Sequence, residues 1–104
     1  MSNEKGTFFK KFDFAFVERK PEFIKTANPY EAAKFYKDLA DSDFSLYTKM
    51  DYQKLSNLLA SVALHNGRIS EATQHGNVIN FIFSFSSKGN YEEFLDNVKQ
   101  SNTL

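Results

Sequence analysis

Between Phe8 and Val17 the side chains alternate, with Phe12, Phe14 and Phe16 on one side and Asp13, Ala15 and Val17 on the other. A period of two marks a half-buried strand. Glu18-Arg19-Lys20-Pro21 breaks it, and Phe23 to Thr26 follows as a short extended piece. The period then changes to that of a helix. Asn28-Pro29-Tyr30-Glu31 supplies a cap, a first-turn proline and a glutamate able to reach back to the cap, ahead of the stripe Ala32, Phe35, Tyr36, Leu39. A second helix begins near Thr48 or Asp51, carries Leu55, Leu58, Leu59 and Val62, and ends at Asn66-Gly67, with Gly67 as the left-handed residue. A third opens at Asn90, with Glu93 at capping-box spacing, and presents Tyr91, Phe94, Leu95 and Val98.

Phe44 to Thr48 reads as a short strand between the first two helices. Arg68–Gln74 and Val78–Ser86 read as a hairpin, with Ile79, Phe81, Phe83 and Phe85 on one face. Its register has two solutions. A two-residue Gly76-Asn77 turn sets Ser70 and Ala72 beside the phenylalanine row, and a three-residue turn sets Ile69 and Thr73 there. The longer turn is favoured because it adds Ile69 to the core face. The expected architecture is therefore a single small α+β domain over residues 7–104 behind a loose tail of 1–6. Its order is β-α-β-α-β-β-α, with about four antiparallel or mixed strands covered on one side by three amphipathic helices.

Composition fits one core. A chain of 104 residues forms one domain and buries roughly 60–65% of its extended-state surface. Twelve phenylalanines and five tyrosines, without tryptophan, supply rigid apolar contact area. The Phe, Lys and Asn bias also fits an AT-rich coding genome such as many phages have. With no cysteine, disulfides, thiol chemistry and cysteine-held metals are excluded. Met1 to Gly6 is polar with no signal-like apolar segment behind it, so a cytoplasmic setting is expected. Thirteen basic and thirteen acidic residues leave no net field to attract polyanions or membranes.

Candidate chemistry is sparse. Phe14-Ala15-Phe16-Val17-Glu18 resembles the middle of the RNP1 signature of RNA-recognition motifs, whose strand aromatics stack on bases. Asp13 stands where that signature has glycine, Phe12 where it has a basic residue, and the segment precedes rather than follows a first βαβ. A covered core face is the simpler reading. Lys10, Lys11, Arg19 and Lys20 are the alternative nucleic-acid contacts, interleaved with Asp13 and Glu18. A solvated, aggregation-resistant edge strand is the preferred explanation, since edges are commonly protected by charge. His65, His75 and Glu71 have no spacing that forces them onto one metal. Asp41-Ser42-Asp43 reads as a turn, and the glycines at 6, 67, 76 and 89 form no phosphate loop.

The expected function is a small non-enzymatic protein-binding module, a regulator, inhibitor or adaptor that occupies a partner's surface, with no cofactor and no metal. Phe8, Phe9, Tyr47 and Tyr52 are the candidate contacts, because the apolar stripes leave them off the main core face. Self-association through the Phe8–Val17 edge is a variant of that reading. Nucleic-acid or nucleotide binding is the second class, and a small enzyme with a dispersed pocket the third.

Overall fold

The computed structural model describes residues 7–42 and 45–102, with only the backbone of 101 and 102. The expected 1–6 tail, Asp43 and Phe44 lie outside the described residues. The element order is β1 (Phe8–Ala15), α1 (Pro29–Ser42), α2 (Leu46–Leu64), β2 (Arg68–His75), β3 (Val78–Phe85) and α3 (Lys88–Asn102). The described strands form a three-stranded sheet in the order β1-β3-β2, antiparallel throughout. The α+β class with its three helices stands, while the sheet has three strands rather than about four.

The difference lies between the first two helices. Residues 46–48, expected in a strand, are the first turn of α2. Ser45 caps that turn, its hydroxyl accepting from the Thr48 N–H. The hydroxyls of Ser45 and Thr48 both donate to the Glu18 carboxylate, which arrives from just beyond β1. A strand-like local sequence is therefore drawn into a helix by a carboxylate distant in sequence.

Other boundaries follow their caps. The Asn28 side chain accepts from the N–H groups of Tyr30 and Glu31 at 2.9 and 3.2 Å. Glu31 does not reach the cap directly. It accepts the Thr26 hydroxyl proton at 2.8 Å, and the Thr26 oxygen accepts the Asn28 N–H at 3.1 Å. α3 starts two residues earlier than expected because Ser87, not Asn90, caps it, accepting the Asn90 N–H at 3.3 Å.

The hairpin combines both registers. Its turn is the two-residue Gly76-Asn77, with His75 opposite Val78 and Gly76 at φ 62°, and the three-residue turn expected from the sequence is not used. Ala72 consequently lies opposite Phe81. A bulge between Ile69 and Glu71 then restores Ile69 to the core face opposite Phe83. One extra residue at Ser70 reverses the face of everything before it.

β3 is the core of the core. Ile79, Phe81, Phe83 and Phe85 are all buried, Phe81 stacking on Phe83 with centroids 5.1 Å apart. Phe94 of α3 packs against Phe83 and Phe85 at 5.9 and 5.0 Å. Tyr36, Leu55, Leu59 and Val62 bring α1 and α2 into the same cluster. The helices meet through buried hydroxyls as well, Ser56 donating to the Ala33 carbonyl at 2.8 Å and Ser61 to Asn97 Oδ1 at 2.8 Å.

At the end of α2 the left-handed residue is Asn66 (φ 61°), not Gly67 as expected. Gly67 is required for closeness instead. A Cβ there would lie 2.5 Å from Phe85 Cε2 and 2.8 Å from Val62 Cγ1. Gly67→Ala is expected to lower stability by about 1–3 kcal/mol through overpacking, whereas Asn66→Gly leaves stability unchanged or slightly higher. Denaturant midpoints of the two variants check this, and equal midpoints would contradict the role given to Gly67.

Candidate functional site

The sheet has a covered face, an open face and two edges of different character. On β1 the side chains of Phe8, Lys10, Phe12 and Phe14 share the helix-covered face with Ile79, Phe81, Phe83 and Phe85, to which they pair directly. They are only half-buried, while their β3 partners are buried. Phe9, Lys11, Asp13 and Ala15 project on the open face, beside Ile82, Asn80 and Val78 of β3 and Glu71, Thr73 and His75 of β2. A shallow depression of about 310 Å³ there is lined by Lys11, Glu71, Thr73, His75, Asn80 and Ile82. Asn80 Nδ2 donates to Asp13 Oδ1 at 2.7 Å across the strands.

The β2 edge is strapped. The segment joining β1 to α1 passes it in the opposite direction, with Gln74 Nε2 donating to the Pro21 carbonyl at 3.1 Å and the Ile69 N–H to the Ala27 carbonyl at 3.0 Å. Two stacked phenol rings hold this strap from the core side, Tyr36 and Tyr52 with centroids 5.8 Å apart. The Tyr36 hydroxyl donates to the Glu22 carbonyl at 3.0 Å and accepts the Ile24 N–H at 3.4 Å. The Tyr52 hydroxyl accepts the Glu22 N–H at 3.0 Å.

Among the described residues the β1 edge is bare. The Phe16 N–H donates to the Asn77 carbonyl at 2.8 Å, so residues of the same parity turn their backbone groups toward β3. Antiparallel geometry then points those of residues 9, 11, 13 and 15 outward. The ends of this outward row are engaged, the Phe9 carbonyl by the Tyr91 hydroxyl at 3.4 Å and the Val17 N–H by Asp51 Oδ2 at 2.8 Å. Between them, no described residue pairs with the outward backbone groups of Lys11, Asp13 and Ala15. Exposed apolar side chains stand at both ends of the strand. Phe9 is at one end, and at the other are Val17 and the Leu46, Tyr47 and Met50 side chains of the α2 turn that Glu18 and Asp51 dock.

The residues singled out from the sequence divide. Phe9 and Tyr47 are 57% and 56% exposed, Phe9 on β1 itself and Tyr47 in the α2 turn docked beyond its far end. Phe8 is half-buried and stacks on Tyr91 at 5.6 Å. Tyr52 is a correction: at 2% exposure it is a core residue, packed on Phe16 at 4.9 Å. Its place three residues before Leu55 continues the apolar stripe of α2 and was the signal for this. Lys10 and Lys11 lie on opposite faces of the sheet, and Arg19 and Lys20 follow in the bend beyond β1, so the four make no single basic stripe. The rings that a base-stacking platform would use, Phe14 and Phe16, face the helices, and Phe16 is buried.

His65 Nδ1 lies 2.8 Å from the Ser61 carbonyl and its ring faces Phe94 on the helix side, whereas His75 and Glu71 are on the open face. The sheet separates the two histidines. Among the described residues no His, Asp and Glu cluster has metal-binding geometry, and no helix is long and apolar enough to cross a membrane. The sequence reading treated Phe8–Val17 as an edge strand, and β1 is outermost in the sheet, but it did not single out Asp13 and Ala15 within it. The signal available for them was the opposite charge of Lys11 and Asp13, two positions apart on one strand face. No family model, curated protein or solved structure matches the chain.

Burial pushes the Tyr36 phenol up from 10.0 to about 12, against a smaller lowering by the Ile24 N–H. An unfolded tyrosine ionises near pH 10, so above that pH the unfolded chain loses a proton that the folded one keeps. This contribution is complete below about pH 10 and lost as pH rises toward about 12. The denaturant midpoint is expected to fall more steeply over that window in the native chain than in Tyr36→Phe. Parallel midpoint curves would contradict the assignment.

Proposed function

We propose that this chain is a small non-enzymatic protein-binding module, a regulator, inhibitor or adaptor in a cytoplasmic setting, that engages an extended protein segment by adding it as a strand beside β1. The observation that supports the reading is the unequal treatment of the two sheet edges. β2 is strapped by residues 21–27. β1 offers the outward N–H and C=O groups of Lys11, Asp13 and Ala15, with exposed Phe9 and Tyr47 beside its ends. Strand addition draws affinity from main-chain hydrogen bonds and selectivity from alternate side chains. Natural edges are usually blunted, so a bare edge flanked by exposed apolar groups is a docking feature rather than a neutral one.

Proline tests this with little disturbance of the fold. At position 11 it removes an outward N–H and leaves the bonds to β3, the one strand context that tolerates proline. Peptides selected from a displayed random library against the native protein are expected to bind it and to lose about three- to tenfold in affinity toward Lys11→Pro, the loss of one outward hydrogen bond. Circular dichroism checks that the variant is folded. Peptides that bind both proteins equally, or the absence of any selected peptide, would count against the reading.

A further inference from the structure

We infer that the segment completing the β1 edge is β1 of a second copy of this chain, paired antiparallel about a two-fold axis that passes beside Phe12. The inference rests on the strand-addition reading and names its partner. Outward backbone groups belong to the odd-numbered residues of β1, and a symmetric antiparallel pair must set these opposite one another for their N–H and C=O groups to bond. With the axis at Phe12, Lys11 of each copy lies opposite Asp13 of the other, and Phe9 opposite Ala15. Side chains directly opposite in an antiparallel pair share a face, so two Lys–Asp pairs form side by side on the open face.

The same charges exclude the neighbouring registers. Moving the axis by one residue either way places Lys11 against Lys11 or Asp13 against Asp13, and like charges directly opposite are destabilising. The edge lysine that guards against indiscriminate pairing therefore selects one register instead of forbidding all of them. On the covered face the two Phe12 side chains meet across the axis, and Lys10 lies opposite Phe14. Phe12 and Phe14, like Phe8 and Lys10 of the same row, are left half-buried by the helices, so a second copy covers apolar surface that the single chain leaves wet. The pairing joins two three-stranded sheets into one, with every helix on the same side.

Charge reversal separates this from a general adhesiveness of the strand. Sedimentation equilibrium of the native chain is expected to show a dimer. Lys11→Asp and Asp13→Lys should each raise its dissociation constant by about tenfold or more, since each turns two attractive pairs into repulsive ones. Mixing the two variants restores association, because one chain then carries only carboxylates at positions 11 and 13 and the other only ammonium groups. The double reversal in one chain restores the homodimer. Thermal melts show that each variant folds. In the native protein the amides of Lys11, Asp13 and Ala15 should gain protection from hydrogen exchange as concentration rises, while those of Lys10, Phe12 and Phe14 are protected throughout. A native chain that remains monomeric up to about 1 mM, or variants that dimerise unmixed as tightly as the native chain, would overturn the inference. Should the native chain be monomeric while selected peptides still distinguish it from Lys11→Pro, self-pairing alone has failed. If that distinction is absent too, the strand-addition reading falls with it.

Discussion

The fold depends on one apolar row. Ile79, Phe81, Phe83 and Phe85 lie along the central strand, fully dried by the three helices. Because side chains alternate along a strand, burying this row decides which face of all three strands is inside. β1 inherits its inner face from direct pairing to β3, and β2 does so through a bulge that corrects its parity at Ile69. Even the entry to β2 is set by the row, since Gly67 has no Cβ where the Phe85 ring comes against the chain.

The polar interior serves the same end. Tyr36 and Tyr52 carry aromatic bodies into the cluster while their hydroxyls face the segment between β1 and α1, where they take up backbone groups of Glu22 and Ile24. A buried phenol suits this work because its ring is apolar and its tip can both donate and accept. Asp51 does the equivalent for the Val17 amide, and Glu18 for the hydroxyls of Ser45 and Thr48. These contacts tie the start of α2 to the far end of β1.

Much of this was legible in the residues. The alternation of β1 and β3, the α1 stripe and the Gly76-Asn77 turn are local patterns, and each element stands where its pattern lies. What failed was decided at a distance. Phe44 to Thr48 is rich in strand formers, yet α2 begins inside it because Glu18, 27 residues before Ser45, takes the cap hydroxyl. The longer hairpin turn, favoured because it brought Ile69 to the core face, is not used, since a bulge lets Ile69 reach the core without it. The candidate surface was half legible: Phe9 and Tyr47 stood out as leftover aromatics, but alternation looks the same in a central strand and in an edge strand. The interleaved charges of Phe8–Val17 pointed to an edge, which the strand order bears out, but not to the residues past Pro21 that shield the opposite side.

That shield has a consequence for assembly. A sheet open on both sides can go on recruiting chains, and growth of that kind ends in filaments. Here the 21–27 segment lies along β2, Ala27 taking the Ile69 N–H and Pro21 the Gln74 side-chain amide, with the Tyr36 and Tyr52 hydroxyls holding it in place. A strand added on that side would first have to displace this segment, so what looks like a mere connector also opposes edge growth at β2.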